Sequence, residues 1–462
     1  MLDQETIDTI NQLKSYLDNK DLHPLRDLLV KLESADIADL LTKLEEDDQL
    51  VLFRILPKDV ISKVFSELDT LLQEKLLRLM GTSRAAKLLN EMEADDRTAL
   101  LEELPTNVVK QMLSLLTKEE RMIASTLLGY PESSVGRLMN PDYVAIQPEW
   151  NITNVLEHIR NRGKDFENFL VLYVIDAAGK LIDEVNLADI LLAQPNVRVS
   201  ELLDGKYTAI EASADQETAV EKFKRTDRTA LPVIDSYNVM LGIITVDDVF
   251  HVAEEEATED IQKLGGSQAL EDPYLQTSII SLIKKRAGWL TLLFVGEMFT
   301  ASAMKQFESE IAKAVILAIF VPLIISSGGN SGSQATSLVI RALALGEIQI
   351  KDWLLVFKRE LVSGIILGTI LGIVGCGRVY LWGYFDPTVA RIAAPLAATI
   401  FFSLLTVVIW GTITGSMLPL ILKKIGLDPA TASAPFVATL VDVTGIVAYF
   451  FIAATMLKGV LL

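Results

Sequence analysis

Cysteine occurs once in 462 residues, as Cys376 in an apolar, glycine-bearing stretch, which excludes a disulfide framework and a thiolate metal site. Histidine occurs three times, as His23, His158 and His251, so nothing beyond position 251 can supply an imidazole. Positive charge is also scarce: 42 Lys and Arg stand against 61 Asp and Glu, a net charge of -19. The deficit is uneven. Residues 1–271 carry 51 acidic and 28 basic side chains, whereas residues 272–462 carry 10 and 14. Such an acidic front excludes nucleic acid and anionic lipid surfaces as its partners, and leaves plain solubility or an affinity for cations. The chain opens MLDQETIDTI, polar and acidic, without the basic-then-apolar order of a signal peptide. The front half is therefore expected to stay in the cytoplasm.

What abounds is apolar surface: half of the residues are hydrophobic, too many for an ordinary acidic soluble protein, and the chain is too long for one domain. Stretches near the roughly 20 residues that cross a bilayer appear at 288–304, 312–340, 356–384, 392–422 and 432–457. Five spans put the two ends on opposite sides. With the N-terminus inside, nine Lys and Arg, among them Lys284, Lys285, Arg286, Lys423 and Lys424, flank the inner ends, and five flank the outer ends. That asymmetry favours the same orientation as the missing signal. The second span carries Pro322 and the polar run Ser326-Ser327-Gly328-Gly329-Asn330-Ser331-Gly332-Ser333-Gln334, so it reads as one helix, two half-helices or a re-entrant segment.

An ionisable group inside a hydrophobic bundle costs about 2.5–3.5 kcal/mol on insertion scales and calls for a reason. Asp442 lies well inside the fifth span, with no basic residue from position 425 to 457. Ala438 and Thr439 lie one helical turn before it and Gly445 one turn after, making a narrow, partly polar face. The carboxylate can draw a cation along a wet path, be protonated, or pair with a distant arginine. The polar run of the second span, with Asn330 and Gln334, can line a cavity or, through its small residues, allow tight helix packing. Glu297 in the first span is as consistent with an interfacial or packing role. A membrane half with carboxylate, carbonyl and amide ligands, and neither thiolate nor imidazole, suits a hard cation such as Mg²⁺ or Ca²⁺.

Residues 1–128 read as helices, with leucines at three-to-four spacing. The segment Leu44-Glu45-Glu46-Asp47-Asp48 leading to Leu56-Pro57 recurs 48 positions later as Met92-Glu93-Ala94-Asp95-Asp96 leading to Leu104-Pro105. This internal repeat predicts a helical solenoid, with the acidic doublets at helix starts where carboxylates favour the dipole. From about Gly136 the texture becomes short β-rich runs, Leu170 to Ile175 and Leu231 to Asp235, each followed by a turn, a strand and a helix. The second copy ends Leu241-Gly242-Ile243-Ile244-Thr245-Val246-Asp247-Asp248. This unit resembles the tandem CBS pair, whose repeats often bind adenosine nucleotides through a Gly-apolar-apolar-Thr-x-x-Asp end; Thr245 and Asp248 match it, while the first copy keeps only Asp189.

Further motifs are Tyr130-Pro131-Glu132 with Gly136-Arg137-Leu138-Met139, Ala257-Thr258-Glu259-Asp260-Ile261, Gly328-Gly329-Asn330, Asp428-Pro429-Ala430, Val437-Ala438-Thr439-Leu440 and Asp442-Val443-Thr444-Gly445. In these, and over its full length, the chain resembles MgtE-type magnesium channels and transporters. The resemblance implies a multidomain membrane protein: an all-α superhelical domain (1–128), an α/β tandem CBS pair (129–252), a connecting plug helix (253–284) and a five-helix transmembrane domain (285–462). It implies a homodimer in the plasma membrane, multi-pass, with cytoplasmic N-terminal domains. Hydrated Mg²⁺ is expected at Asp442, with the carbonyl near Ala438 and with Asn330 nearby. Regulatory Mg²⁺ is expected at Asp95, Asp215, Glu217, Asp227, Asp248, Glu256, Glu259 and Asp260, closing the pore when the ion is plentiful. An adenine nucleotide at the CBS pair is the further partner it implies. Two positions depart from the family pattern: Ala434 stands where an amide is expected near the pore, and Arg228 where an aromatic is expected to stack on adenine.

Two other classes compete. A secondary transporter of Co²⁺, Mn²⁺ or Ca²⁺ driven by a proton or sodium gradient would also want a lone membrane carboxylate. A CBS-regulated membrane enzyme would need a catalytic constellation; the membrane half has no histidine, and no hydrophobic span carries two carboxylates within one helical turn.

Overall fold

The structure is a computed structural model that describes residues 12–13, 15–17, 22–57, 60–162, 168–226, 228–270, 274–275 and 277–458. It divides into two compact units, Met1–Ala253 and Glu254–Leu462.

In the first unit, helices Glu46–Ile55, Thr70–Met80, Ala94–Glu103 and Lys118–Leu127 begin 24 residues apart and alternate with Ser34–Thr42, Ile61–Ser66, Thr82–Glu91 and Thr106–Leu115. The true period is thus half the 48 residues that the acidic doublets suggest. The intervening copy hides because it carries Leu71-Leu72 where its neighbours carry acid pairs, and Gly81 where they carry proline. What fixes the period is polar. Gln49, Gln73, Arg97 and Arg121 each sit at the fourth position of a helix. Each reaches back to carbonyls at the end of the helix before: Gln49 to Leu41 and Leu44, Gln73 to Phe65 and Ser66, Arg97 to Leu89 and Met92, Arg121 to Leu113, Ser114 and Leu116. Helix ends leave such carbonyls without intrahelical donors, and inside a solenoid they must be met by a side chain. Around these struts packs a continuous leucine-rich core including Leu29, Leu41, Leu52, Phe53, Phe65 and Leu89. Replacing Arg97, which also pairs with Glu120, by alanine is expected to cost roughly 1–3 kcal/mol in urea unfolding. Arg97→Gln should cost less than half of that, because glutamine already performs this task at positions 49 and 73; equal losses would show that the guanidinium charge, not the reach, is what matters.

The same unit holds two three-stranded sheets of identical topology. Strands β1 (Ala145–Ile146), β2 (Val171–Ile175) and β3 (Leu181–Asn186) form one, and β4 (Ile210–Glu211), β5 (Ala230–Ile234) and β6 (Met240–Thr245) the other. In each, the first pair is parallel, the second antiparallel, and a register shift falls at the matching place, Val174/Ile175 and Val233/Ile234. Tyr173, Leu181, Met240 and Ile243 form a buried cluster to which both sheets contribute. Helix Val246–Leu264 follows β6 directly and runs across the boundary between the units.

Among its described residues the second unit has five helices long and apolar enough to cross a bilayer: Ile279–Gln306, Ile316–Ala344, Trp353–Phe385, Ala393–Lys424 and Ala434–Met456. The polar run of the second span stays helical, with Pro322 inside a single helix. Its glycines serve close approach: a methyl group on Gly411 would strike the Gly328 carbonyl, and one on Gly415 the Gly332 carbonyl. Glycines of the third span, Gly364, Gly368 and Gly372, meet Thr412, Leu405 and Phe401 of the fourth in the same manner. Small residues at these crossings let backbones touch where lipid supplies no hydrophobic drive. The second, fourth and fifth spans share a buried cluster including Leu317, Leu404, Val407, Val441 and Tyr449. The first span buries none of its residues fully within the chain.

Candidate ion path and acidic sites

The fifth span begins with a cap: Ser433, fully buried, accepts from the Phe436 amide at 3.3 Å and from the Trp289 indole at 3.1 Å. That fixes the helical phase, so Ala438 and Asp442, four residues apart, face the same way. They face Gly329 of the second span. A methyl group added there would lie 3.4 Å from Asp442 Oδ1 and 3.5 Å from Ala438 Cβ, ordinary contact distances, so this stretch of helix lies directly against the carboxylate. Gly296 of the first span abuts Thr439. The next residue, Glu297, brings its carboxyl beside that of Asp442. Two carboxyl groups in contact repel unless a proton or a cation lies between them. Glu297, ambivalent in the sequence, is thus the partner that Asp442 finds. The sequence around Glu297 carried no signal of this; the close approach of Gly296 to Thr439 is what sets it beside the fifth span.

Other candidates fall around this pair. Asn330 is exposed, its amide 3.4 Å from Ser326 Oγ. The Ala434 carbonyl accepts from Ser333 Oγ at 3.1 Å, so the alanine at this departure from the pattern acts through its backbone.

At the start of the fifth span a second acidic group forms. Glu256, Glu259 and Asp260 lie on helix Val246–Leu264, and Asp428 precedes the span. Lys263 Nζ bridges Glu259 at 2.6 Å and Asp428 at 2.7 Å. Burial, then the neighbouring Asp428 and Glu256 carboxylates, push the Asp260 carboxyl up to about 6. Lys263 stays charged despite its burial because Asp428 and Glu259 hold it.

Within the first unit the acids separate. Asp95 accepts from the Asn140 amide at 3.4 Å, whereas Asp96 is the carboxyl that faces Asp247 and Asp248. Burial, with Asp247 and Asp96 close by, pushes Asp248 up to about 6; burial likewise raises Asp96. Thr245 donates its hydroxyl to Asp248 at 2.5 Å, so this Thr-x-x-Asp pair closes on itself at the start of a helix. Asp215 caps the helix that follows it, accepting from the Glu217 amide at 2.9 Å. Asp227 lies outside the described residues. A cleft of about 470 Å³ lies between β-strand ends, lined by Glu184, Asn186, Asp189, Lys206 and Arg228 among others. Thr245 and Asp248 are not among its lining residues. Arg228 forms an ion pair with Glu184 there, a pairing the sequence did not reveal. Among the described residues no three His, Cys, Asp or Glu side chains are placed to hold one metal ion.

Three family models match in the order read from the sequence. The MgtE intracellular N domain covers residues 32–133, CBS domains cover 135–196 and 199–255, and the MgtE divalent cation transporter model covers 321–452. A magnesium transporter MgtE of Thermus thermophilus is 36% identical over 351 residues, 76% of each chain. The chain belongs to the MgtE family. A Bacillus subtilis magnesium transporter MgtE is 29% identical over 438 residues, 95% of each chain. Among solved structures, the cytosolic domain of the Mg²⁺ channel MgtE in complex with ATP is 30% identical, with a TM-score of 0.50, and covers 53% of this chain and 99% of that one. The soluble part of a magnesium transporter is 25% identical, with a TM-score of 0.51, over 55% and 99%. This MgtE-family chain is a multi-pass membrane protein with cytoplasmic N-terminal domains, carrying a CBS pair.

Proposed function

We propose that the chain is a Mg²⁺-selective channel for magnesium uptake. It would work as a homodimer, with Asp442 and the backbone near Ala438 holding a hydrated ion and Asn330 exposed beside the path. The observation that carries this reading is Asp442 itself: a carboxylate inside a span, against Gly329 and Glu297, with no Lys or Arg pairing with it among the described residues. Mg²⁺ gives up its waters reluctantly, so a site with few direct ligands suits it. Relatives named magnesium transporters supply the choice of ion. A first span with no fully buried residue supports a second copy in the bilayer.

Regulation follows from the acids. Asp95, Asp215, Glu217, Asp227 and Asp248, with Glu256, Glu259 and Asp260 on the helix leading into the membrane domain, are the groups that cytoplasmic Mg²⁺ would bridge. Crowded carboxylates repel until a divalent ion neutralises them, so ion concentration biases closed against open. The segments 1–128, 129–252, 253–284 and 285–462 would then be sensor, sensor, plug and pore. An adenine nucleotide in the 470 Å³ cleft is the proposed ligand of the CBS pair, supported by the ATP complex of the related cytosolic domain; here Arg228 offers a planar guanidinium where an aromatic would stack.

Secondary transport of another divalent cation driven by a proton or sodium gradient is the competing reading, and the Glu297–Asp442 contact is what favours it. Purified chain in liposomes decides: a channel passes Mg²⁺ down its own gradient with no proton or sodium gradient imposed, and flux that ceases without one refutes the channel. Gating has a separate readout. Millimolar Mg²⁺ is expected to protect helix residues 254–264 from protease in the full chain, and identical digestion with EDTA and with Mg²⁺ would remove the plug reading.

A further inference from the structure

In a first unit dominated by acid, one place collects the opposite charge. A cavity of about 520 Å³ opens among the helices of the solenoid. Its floor is apolar, made by Phe53, Leu56, Met80 and Leu88, all buried. Its rim carries Arg26, Arg54, Arg84 and Lys87, all exposed, and a single acid, Glu91, which Lys87 already engages at 3.6 Å. Among the described residues no hydrogen bond or ion pair holds the guanidinium groups of Arg26, Arg54 or Arg84. The repeat accounts for part of this collection only: Arg54 and Lys87 have counterparts one period away in Arg78 and Lys63, whereas one period from Arg26 stands Leu50, and one period either side of Arg84 stand Val60 and Val108.

Three unpaired guanidinium groups would normally be dispersed by mutual repulsion or matched by carboxylates, which this unit has in excess. Their convergence on one cavity, from three different helices, calls for a ligand of opposite charge. The volume lies within the range of small-molecule sites, about 300–1,000 Å³, and is too confined for a protein segment of any length. Guanidinium forks match phosphate oxygens two at a time. Four cations around one opening need several negative charges on one ligand, which a single lipid phosphate does not provide. The apolar floor needs a body with a flat or apolar face.

We infer that this cavity binds a soluble organic polyphosphate of the nucleoside triphosphate class, phosphates on the arginine rim and base toward the floor. Nothing in this inference depends on the ion path or on the cleft of the CBS pair. A ligand held there would tie together the helices that carry Arg26, Arg54 and Arg84, and so stiffen the solenoid.

Photolabelling of the full-length chain in detergent with 8-azido-ATP tests it. Label is expected on peptides within residues 53–91, with half-saturation about 100-fold higher in the Arg54→Ala/Arg84→Ala variant, near tenfold for each lost phosphate contact. Both side chains are exposed and unpaired, so the variant should keep the unfolding temperature of the unliganded chain. The conservative Arg54→Lys/Arg84→Lys variant should recover part of the affinity, since charge remains but the fork is lost. Label confined to peptides 171–230 places the nucleotide only in the other cleft and overturns the proposal. Label within 53–91 that is indifferent to both substitutions overturns it as well.

Discussion

Replacing Asp442 by alanine is expected to lower Mg²⁺ flux into liposomes by roughly 100-fold, the equivalent of about 2.7 kcal/mol, with the membrane domain still folded. The first half of that expectation rests on charge. Inside a bilayer a divalent ion is stable only where the protein replaces its lost solvation, and along the fifth span Asp442 is the only group that can do so with a full charge. The second half rests on packing. Asp442 is half-buried and is not part of the cluster of Val407, Val437, Val441 and Tyr449 that holds the spans together. Removing a desolvated carboxyl from the edge of a bundle opens no core cavity and relieves its contact with Glu297. Asp442→Asn keeps size and loses charge, so it should fall nearly as far as alanine. Wild-type flux in either variant, measured with a Mg²⁺-sensitive dye inside the vesicles, would remove Asp442 from the path.

How much of this was legible in the sequence depended on whether a feature is carried by local pattern. Five spans, a repeated β-rich unit and an acidic front are statements about composition and period, and the structure has all of them. The solenoid period was legible only in part. The sequence signal was the acid pairs, which recur every 48 residues, while the physical repeat is set by Gln49, Gln73, Arg97 and Arg121, two residue types doing one job. Identity of role without identity of residue leaves no trace for a reader of letters. The polar run of the second span misled toward a break because Gly and Ser are poor helix formers in water, yet in contact with Gly411 and Gly415 they are the residues that permit a continuous helix. Long-range pairings such as Lys263 with Asp428, Arg228 with Glu184 and Asp96 with Asp248 join positions far apart in the chain. No period connects them, and only folding does.

The Glu297→Gln substitution should separate an ion-facing carboxylate from a packing one. Glu297 stands one residue from the point where Gly296 meets Thr439, and its side chain reaches Asp442. If the two carboxylates face a hydrated Mg²⁺ together, the site offers two negative charges to a divalent ion; with glutamine it offers one. The amide keeps the size of the side chain and can donate to Asp442, so the helix contact survives and the maximal flux should stay within about twofold. What should move is the concentration dependence. Half-saturating Mg²⁺ is expected to rise about tenfold, near 1.4 kcal/mol for the loss of one charged contact screened by the ion's water shell. Glu297→Asp, which keeps the charge but shortens the reach, should fall between wild type and glutamine. If Glu297 only spaces the first span from the fifth, the order reverses: glutamine behaves as wild type, and the shorter aspartate is the variant that suffers.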